Sequence, residues 1–186
     1  MPRFVALLRG VNVGKGKRVP MAELRQLLAA LGYRDVQTLL NSGNAVFEST
    51  ARSTTAHATR IREAIAKTLH VDVPVIVKSS SDIAAIQKEN TLASIATEPS
   101  RLLVAFTATA ADLNALAVPA PLSSPPEQLL VGKHAAYLWC PDGILKSRGA
   151  EAMLGKAGHS ATTRNWATVA KISALLHKGI AGKPSR

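Results

Sequence analysis

Val36-Gln37-Thr38-Leu39-Leu40-Asn41-Ser42-Gly43-Asn44-Ala45-Val46-Phe47-Glu48 holds two short apolar, β-prone stretches, Val36 to Leu40 and Ala45 to Glu48, around Asn41-Ser42-Gly43-Asn44. Asn, Ser and Gly are the chemistry of tight turns, so the stretch predicts a hairpin. Upstream, Arg3 to Leu8 predicts a short buried strand, and Met21, Leu24, Leu28 and Leu31 recur at helical spacing between Pro20 and Gly32. Proline at the start and glycine at the stop frame that helix. Downstream, Ser53, Thr54 and Thr55 offer N-caps to a second helix with Ile61, Ile65 and Leu69 on one face. Val73 to Lys78 closes the unit as a strand, and Pro74 favours a sheet edge because proline cannot donate to a ladder. The order over residues 1–80 is βαββαβ.

A helix from Ser81 to Lys88 and an irregular stretch through Glu98-Pro99-Ser100 predict a connection over residues 81–100. The pattern then restarts over residues 101–178. Leu102 to Thr107 predicts a strand, Ala110 to Ala117 a helix, and Gln128 to Val131 with Ala135 to Cys140 a hairpin about Gly132-Lys133. Pro119, Pro121, Pro125 and Pro126 mark an extended spacer between helix and hairpin. Two helices follow, Leu145 to Leu154 and Arg164 to His177, the latter with Trp166, Val169, Ile172 and Leu176 on its core side. Residues 179–186 form a tail. The expectation is an α+β fold of two ferredoxin-like (α–β plait) subdomains, βαββαβ and then βαββα plus an extra C-terminal helix. That is a duplication of topology, since no residue period survives between the halves.

The 186 residues are 47% apolar and 19% charged, enough apolar sequence for a packed core. One cysteine, Cys140, excludes an internal disulfide framework and leaves at most one thiolate for a metal. The run Phe4 to Leu8 stops at Arg9, too short for a signal peptide, and no run approaches the ~18 apolar residues that span a bilayer. No membrane partner is expected, and the cytoplasm is the default location. The net charge is +11, and it sits at the chain ends: Arg3, Arg9, Lys15, Lys17 and Arg18 give +5 over residues 1–18, and eight basic residues against Glu151 give +7 over 146–186. Localised positive fields of this kind aid solubility or attract phosphates.

In a split βαβ arrangement the end of the first strand and the turn between the second and third lie at one sheet edge. Loop 9–18 therefore faces the Asn41–Asn44 turn. Glycines let backbone N–H groups turn toward an anion, and lysine and arginine add charge. The expected anion ligands are Arg9, Asn12, Gly14, Lys15, Lys17, Ser42 and Asn44. Thr162-Thr163-Arg164-Asn165-Trp166 opens the last helix with a threonine cap, and Arg164 and Asn165 join the set, because a first-turn arginine opposes the helix dipole and calls for an anion. The loop fits neither the Walker nor the Rossmann spacing. His57, His70, His134, His159 and His177 have no metal-ligand spacing, Cys140 lies among apolar residues, and Ser42 lacks both a nucleophile elbow and an identifiable base. No catalytic residue, metal or cofactor is assigned.

Ala6-Leu7-Leu8-Arg9-Gly10-Val11-Asn12-Val13-Gly14, Val19-Pro20-Met21-Ala22-Glu23-Leu24-Arg25 and Ser42-Gly43-Asn44-Ala45-Val46-Phe47 resemble a bacterial family called domain of unknown function 1697. Thr163-Arg164-Asn165-Trp166-Ala167-Thr168-Val169 is similar to its C-terminal signature, so the resemblance runs nearly end to end. It implies two plait subdomains and no particular activity. Where the family usually has Gly-Gly-Lys-Asn, this chain has Gly14-Lys15-Gly16-Lys17.

Three functions remain open from sequence. The first is a binding module for a phosphate-bearing ligand, nucleic acid or nucleotide, through basic loop 9–18 and the basic C-terminal part, although 4% aromatic residues leave few rings to stack bases. The second is an enzyme on a small anionic substrate held by Arg9, Asn12, Ser42, Asn44 and Arg164, which lacks an evident acid/base pair. The third is an assembly protein without a ligand.

Overall fold

The computed structural model describes residues 1–117, 125–155 and 158–178. Those residues form an α+β structure with two four-stranded antiparallel sheets and six α-helices. The chain divides into two compact units: Met1–Ser81 together with the residues from Lys171, and Asp82–Ala170.

In the first unit β1 (Arg3–Leu8), α1 (Met21–Ala30), β2 (Arg34–Leu39), β3 (Asn44–Glu48), α2 (Thr54–Leu69) and β4 (Val75–Ser79) follow one another. The sheet order is β2-β3-β1-β4. Pro74 precedes an edge strand, as its missing donor requires. Leu7 pairs with Asn44, which places the end of β1 beside the start of β3. Phe4, Ala6 and Leu8 on one face of β1 pack with Leu24 and Leu28 of α1 and Ile61 and Ile65 of α2. Helix α2 begins at Ser53, whose hydroxyl accepts from Ala56 N at 3.2 Å. It ends at His70, held left-handed at φ +56.

Two polar groups are buried in this unit, His57 on the core face of the sheet and Arg3 on the opposite face of β1. His57 is buried among Phe4, Tyr33 and Phe47, its Nδ1 2.9 Å from Tyr33 Oη and its Nε2 3.0 Å from Ala51 O. Arg3 is only 5% exposed and pairs with Asp35 and Glu48, while its Nη1 donates to Leu175 O at 2.5 Å. Its charge is neutralised locally, so it does not belong to the positive field counted over residues 1–18.

The second unit begins with most of α3 (Ser80–Glu89), whose Ile83 and Ile86 are buried, and two 3₁₀ turns, Thr91–Ser94 and Pro99–Arg101. Then come β5 (Leu102–Thr107), α4 (Ala110–Ala115), β6 (Gln128–Val131), β7 (Ala136–Trp139), α5 (Arg148–Leu154), β8 (Ala161–Asn165) and α6 (Trp166–His177). The sheet order is β6-β7-β5-β8, strand for strand the order of the first sheet. Leu103, Ala105, Leu113, Leu138, Cys140 and Met153 fill the core. Burial pushes the Cys140 thiol up, in keeping with an inert core cysteine.

The second half departs from the sequence expectation at three places. Ser147 divides the expected helix over 145–154: its hydroxyl caps α5 by accepting from Ala150 N at 2.8 Å, and Ile144–Lys146 becomes a 3₁₀ turn. Residues 161–165 are a strand, not the opening of the last helix, with Val104 opposite Arg164. The segment has too few apolar residues to show a period, and β5 supplies the ladder that decides it. Trp166, expected in the core, is half-buried, whereas Val169, Ile172 and Leu176 are buried. Pro119 and Pro121 of the expected spacer, and the tail from 179, lie outside the described residues. Among the described residues no helix is long and apolar enough to cross a membrane.

Candidate functional site

The end of β1 delivers the chain to a crowded sheet edge. Leu8 N donates to Gly43 O at 2.8 Å on one side, and Arg9 N donates to Pro74 O at 3.0 Å on the other. Gly43 stands at φ +78, and a Cβ there would lie 2.7 Å from both Leu8 Cβ and Val11 Cγ2. Only glycine permits that approach. The loop and the turn expected to face each other therefore do so, because the turn has no side chain where β1 passes.

Loop 9–18 folds back on itself. Asn12 N donates to Lys17 O at 2.8 Å, and Val11 and Lys17 form an isolated bridge. The Asn12 amide then makes three bonds: Nδ2 donates to Val19 O and to Asn41 O, both at 2.8 Å, and Oδ1 accepts from Val19 N at 3.0 Å. Asn12 holds this position at φ +58, a left-handed conformation that asparagine tolerates better than most residues. Across the edge, buried Asn44 donates to Leu39 O at 2.8 Å and to Ser42 Oγ at 3.0 Å. These amides are structural posts that fix the loop and the turn.

Of the expected cations, Arg9 is half-buried and Lys15 is exposed. Arg18 Nη2 donates to Gly14 O at 2.9 Å, which steadies the loop around Gly14 at φ +52. Lys17 reaches out of the loop, its ammonium donating to Asp72 O. Asp72 in turn takes the guanidinium of Arg62, Nε at 2.7 Å and Nη2 at 2.9 Å. Sequence reading missed Arg62 and Asp72, which lie far along the chain from the loop and show no motif. The loop also carries exposed Val13, and the turn exposed Leu40, each next in sequence to a residue of the Asn12–Asn41 contact.

Arg164 and Asn165 belong to the second unit. Arg164 lies in β8, ahead of the Asn165 cap of α6 and not in the first turn of that helix. Its Nη1 donates to Thr162 Oγ1 at 2.9 Å and to Thr163 O at 2.7 Å, and burial pulls the guanidinium down to about 10, which leaves it charged at neutral pH. Asn165 is the N-cap of α6, its Oδ1 accepting from Thr168 N at 2.9 Å. Among the described residues no three of His, Cys, Asp and Glu stand close enough to hold a metal ion.

A structure of conserved bacterial protein SP0830 from Streptococcus pneumoniae is similar to this chain, with 27% identity and a TM-score of 0.77 over 94% of this chain and 98% of that one. No curated protein matches the chain. Residues 1–137 match the family described as "Protein of unknown function (DUF1697)", a span that includes loop 9–18 and the 41–44 turn and leaves Thr163–Val169 outside. The chain belongs to the DUF1697 family of proteins of unknown function.

Proposed function

We propose that the chain is a binding module for a phosphate-bearing ligand, a nucleic acid or a nucleotide, which docks on loop 9–18 of the first unit. The observation that carries this reading is the fixed presentation of cations. Asn12 ties the loop down with three side-chain hydrogen bonds, and Arg9, Lys15, Lys17 and Arg18 stand on it with no acid between them. A preorganised loop loses little freedom when it binds. Leu40, at φ +57, is a bulky residue in a left-handed conformation, and such strain concentrates at ligand sites. Val13 (61% exposed) and Leu40 (48%) offer apolar surface for a sugar or base beside the charges that would take its phosphate. Ser42 and the backbone at Gly14 complete the set. Asn12 and Asn44 act as its supports, and Arg164 and Asn165 are left out because their side chains are engaged elsewhere.

The strand orders favour the finer reading of the fold as two ferredoxin-like plaits related by duplication, each with the order that plait topology gives. Plaits serve many functions, so the site and not the fold carries the argument. A cytoplasmic setting fits such a ligand and the lone, reduced cysteine.

Binding of short fluorescein-labelled single- and double-stranded oligonucleotides, followed by anisotropy at about 50 and about 200 mM salt, tests the reading. Association at low salt that weakens steeply at high salt is expected, with Arg9→Ala and Lys15→Ala each weakening it and reducing the salt slope by ~0.7–0.9. No association with the wild-type protein at low salt refutes the reading.

A further inference from the structure

Lys17 and Arg62 come from different elements, the basic loop and the middle of α2, and converge on Asp72 in the connection to β4. Arg62 grips the carboxylate with both Nε and Nη2, while Lys17 sits on the main-chain oxygen of the same residue. A guanidinium fork that fits a carboxylate bidentately fits a phosphate in the same way, and a neighbouring ammonium adds a point charge. The Arg62–Asp72 pair is open to solvent, its side chains 53% and 63% exposed. Ion pairs that exposed are weak and exchange readily. The hydrogen bond from Arg62 holds the Asp72 carboxyl below the usual carboxylate range, with the charges of Arg62 and Lys17 acting in the same direction. The local field thus favours an anion between these two cations.

We infer that Arg62 and Lys17 form a second phosphate subsite in which the Asp72 carboxylate is the resident stand-in, displaced when a ligand carrying more than one phosphate docks on loop 9–18. The inference rests on the phosphate-binding reading above and adds a ligand class to it: a strand or a polyphosphate chain, long enough to reach from the loop to α2, and not a monophosphate. Asp72 then acts as a selectivity element. A single phosphate does not gain enough from Arg62 to evict it, whereas a ligand already anchored by Arg9 and Lys15 brings its next phosphate at high effective concentration.

Asp72→Asn removes the competing charge and frees the fork. With a fluorescein-labelled oligothymidylate as probe, it is expected to tighten binding about two- to fivefold, the size of an exposed ion pair, and to steepen the salt slope by ~0.7. Glu63→Gln, one residue from Arg62 on the same helix, makes the same change in net charge and controls for it. The gain must exceed that of Glu63→Gln and must vanish in Arg62→Ala/Asp72→Asn. Equal gains in Asp72→Asn and Glu63→Gln, or a gain that survives without Arg62, overturn the inference. If Arg9→Ala and Lys15→Ala weaken binding while Asp72→Asn does nothing, the loop reading stands and the second subsite falls. If neither wild type nor Asp72→Asn binds the probe, both fall. Circular dichroism melting curves that match wild type show that the variants are folded.

Discussion

The turn between β2 and β3 and the turn between β6 and β7 occupy the same place in their sheets and are closed by different chemistry. In the second unit the chain supplies its own anion: Glu89 accepts from Lys133 N at 2.5 Å and from His134 N at 3.2 Å, and Tyr137 Oη donates to it at 2.9 Å. Tyr137 also reaches Ile86 O at 2.9 Å, so the clasp ties the hairpin to α3. In the first unit the turn is met by a loop with four cations and is held by neutral contacts, Asn12 to Asn41 and Asn44 to Ser42. A hairpin turn whose N–H groups are answered by a carboxylate of its own chain is a structural clasp. A turn braced by neutral amides does nothing to offset the positive charge of the loop beside it.

The two glycines test this contrast most severely. Gly43→Ala drives a Cβ against Leu8 and Val11 and into a left-handed strain, for an expected loss of about 2–5 kcal/mol by urea denaturation. In Gly132→Ala the atoms nearest the new Cβ are those of the Glu89 carboxylate, the end of a side chain that can swing into water, and the expected loss is about 1–2 kcal/mol. Equal losses would mean that the second turn is as tightly determined as the first.

The clasp has a pH signature. Burial pushes the Glu89 carboxyl up, but the N–H groups of Lys133 and His134 and the Tyr137 hydroxyl bring it to a net position below the usual carboxylate range. A carboxyl depressed in the folded state contributes fully above its unfolded value of about 4.3, and the contribution is lost as pH falls through the folded value. Glu89→Gln should therefore be less stable than wild type by about 1–2 kcal/mol near pH 7, and the gap should close below about pH 4. A gap independent of pH would show that the charge of Glu89 does not hold the turn. The smallest expected effect is that of Asn12→Ala, about 1 kcal/mol globally, with faster amide exchange at Val19, whose N–H loses its acceptor. Unchanged exchange there would mean that the loop is fixed by its backbone bridge alone.

Local signals carried much of the first unit. Pro20 and Gly32 frame α1, Ser53 caps α2, and Asn41 to Gly43 make the turn, each through chemistry confined to a few neighbouring residues. The edge position of β4 was legible in Pro74 for the same reason. The facing of loop 9–18 and the turn followed from the βαββαβ order of elements, which the apolar periods and turn residues spell out along the chain.

What the sequence could not show is which polar side chains are already spoken for. Asn12, Asn44 and Asn165 look like ligand groups as letters and are hydrogen-bonded supports in space. Arg3 counts as a surface charge until Asp35 and Glu48 surround it. Arg62 and Asp72 have no pattern until α2 and the β4 connection bring them beside Lys17. Strand β8 is the clearest case: Ala161-Thr162-Thr163-Arg164-Asn165 resembles a helix start by its threonines and becomes a strand because β5 has an open edge. Propensity and capping act over a few residues and can be read along the chain, so the sequence by itself determined the apolar periods, the turns and the basic loop. Pairing and burial act between residues distant in sequence, and their energy exists only once the sheet is assembled, so the tertiary structure alone decided the last strand and which charges remain exposed.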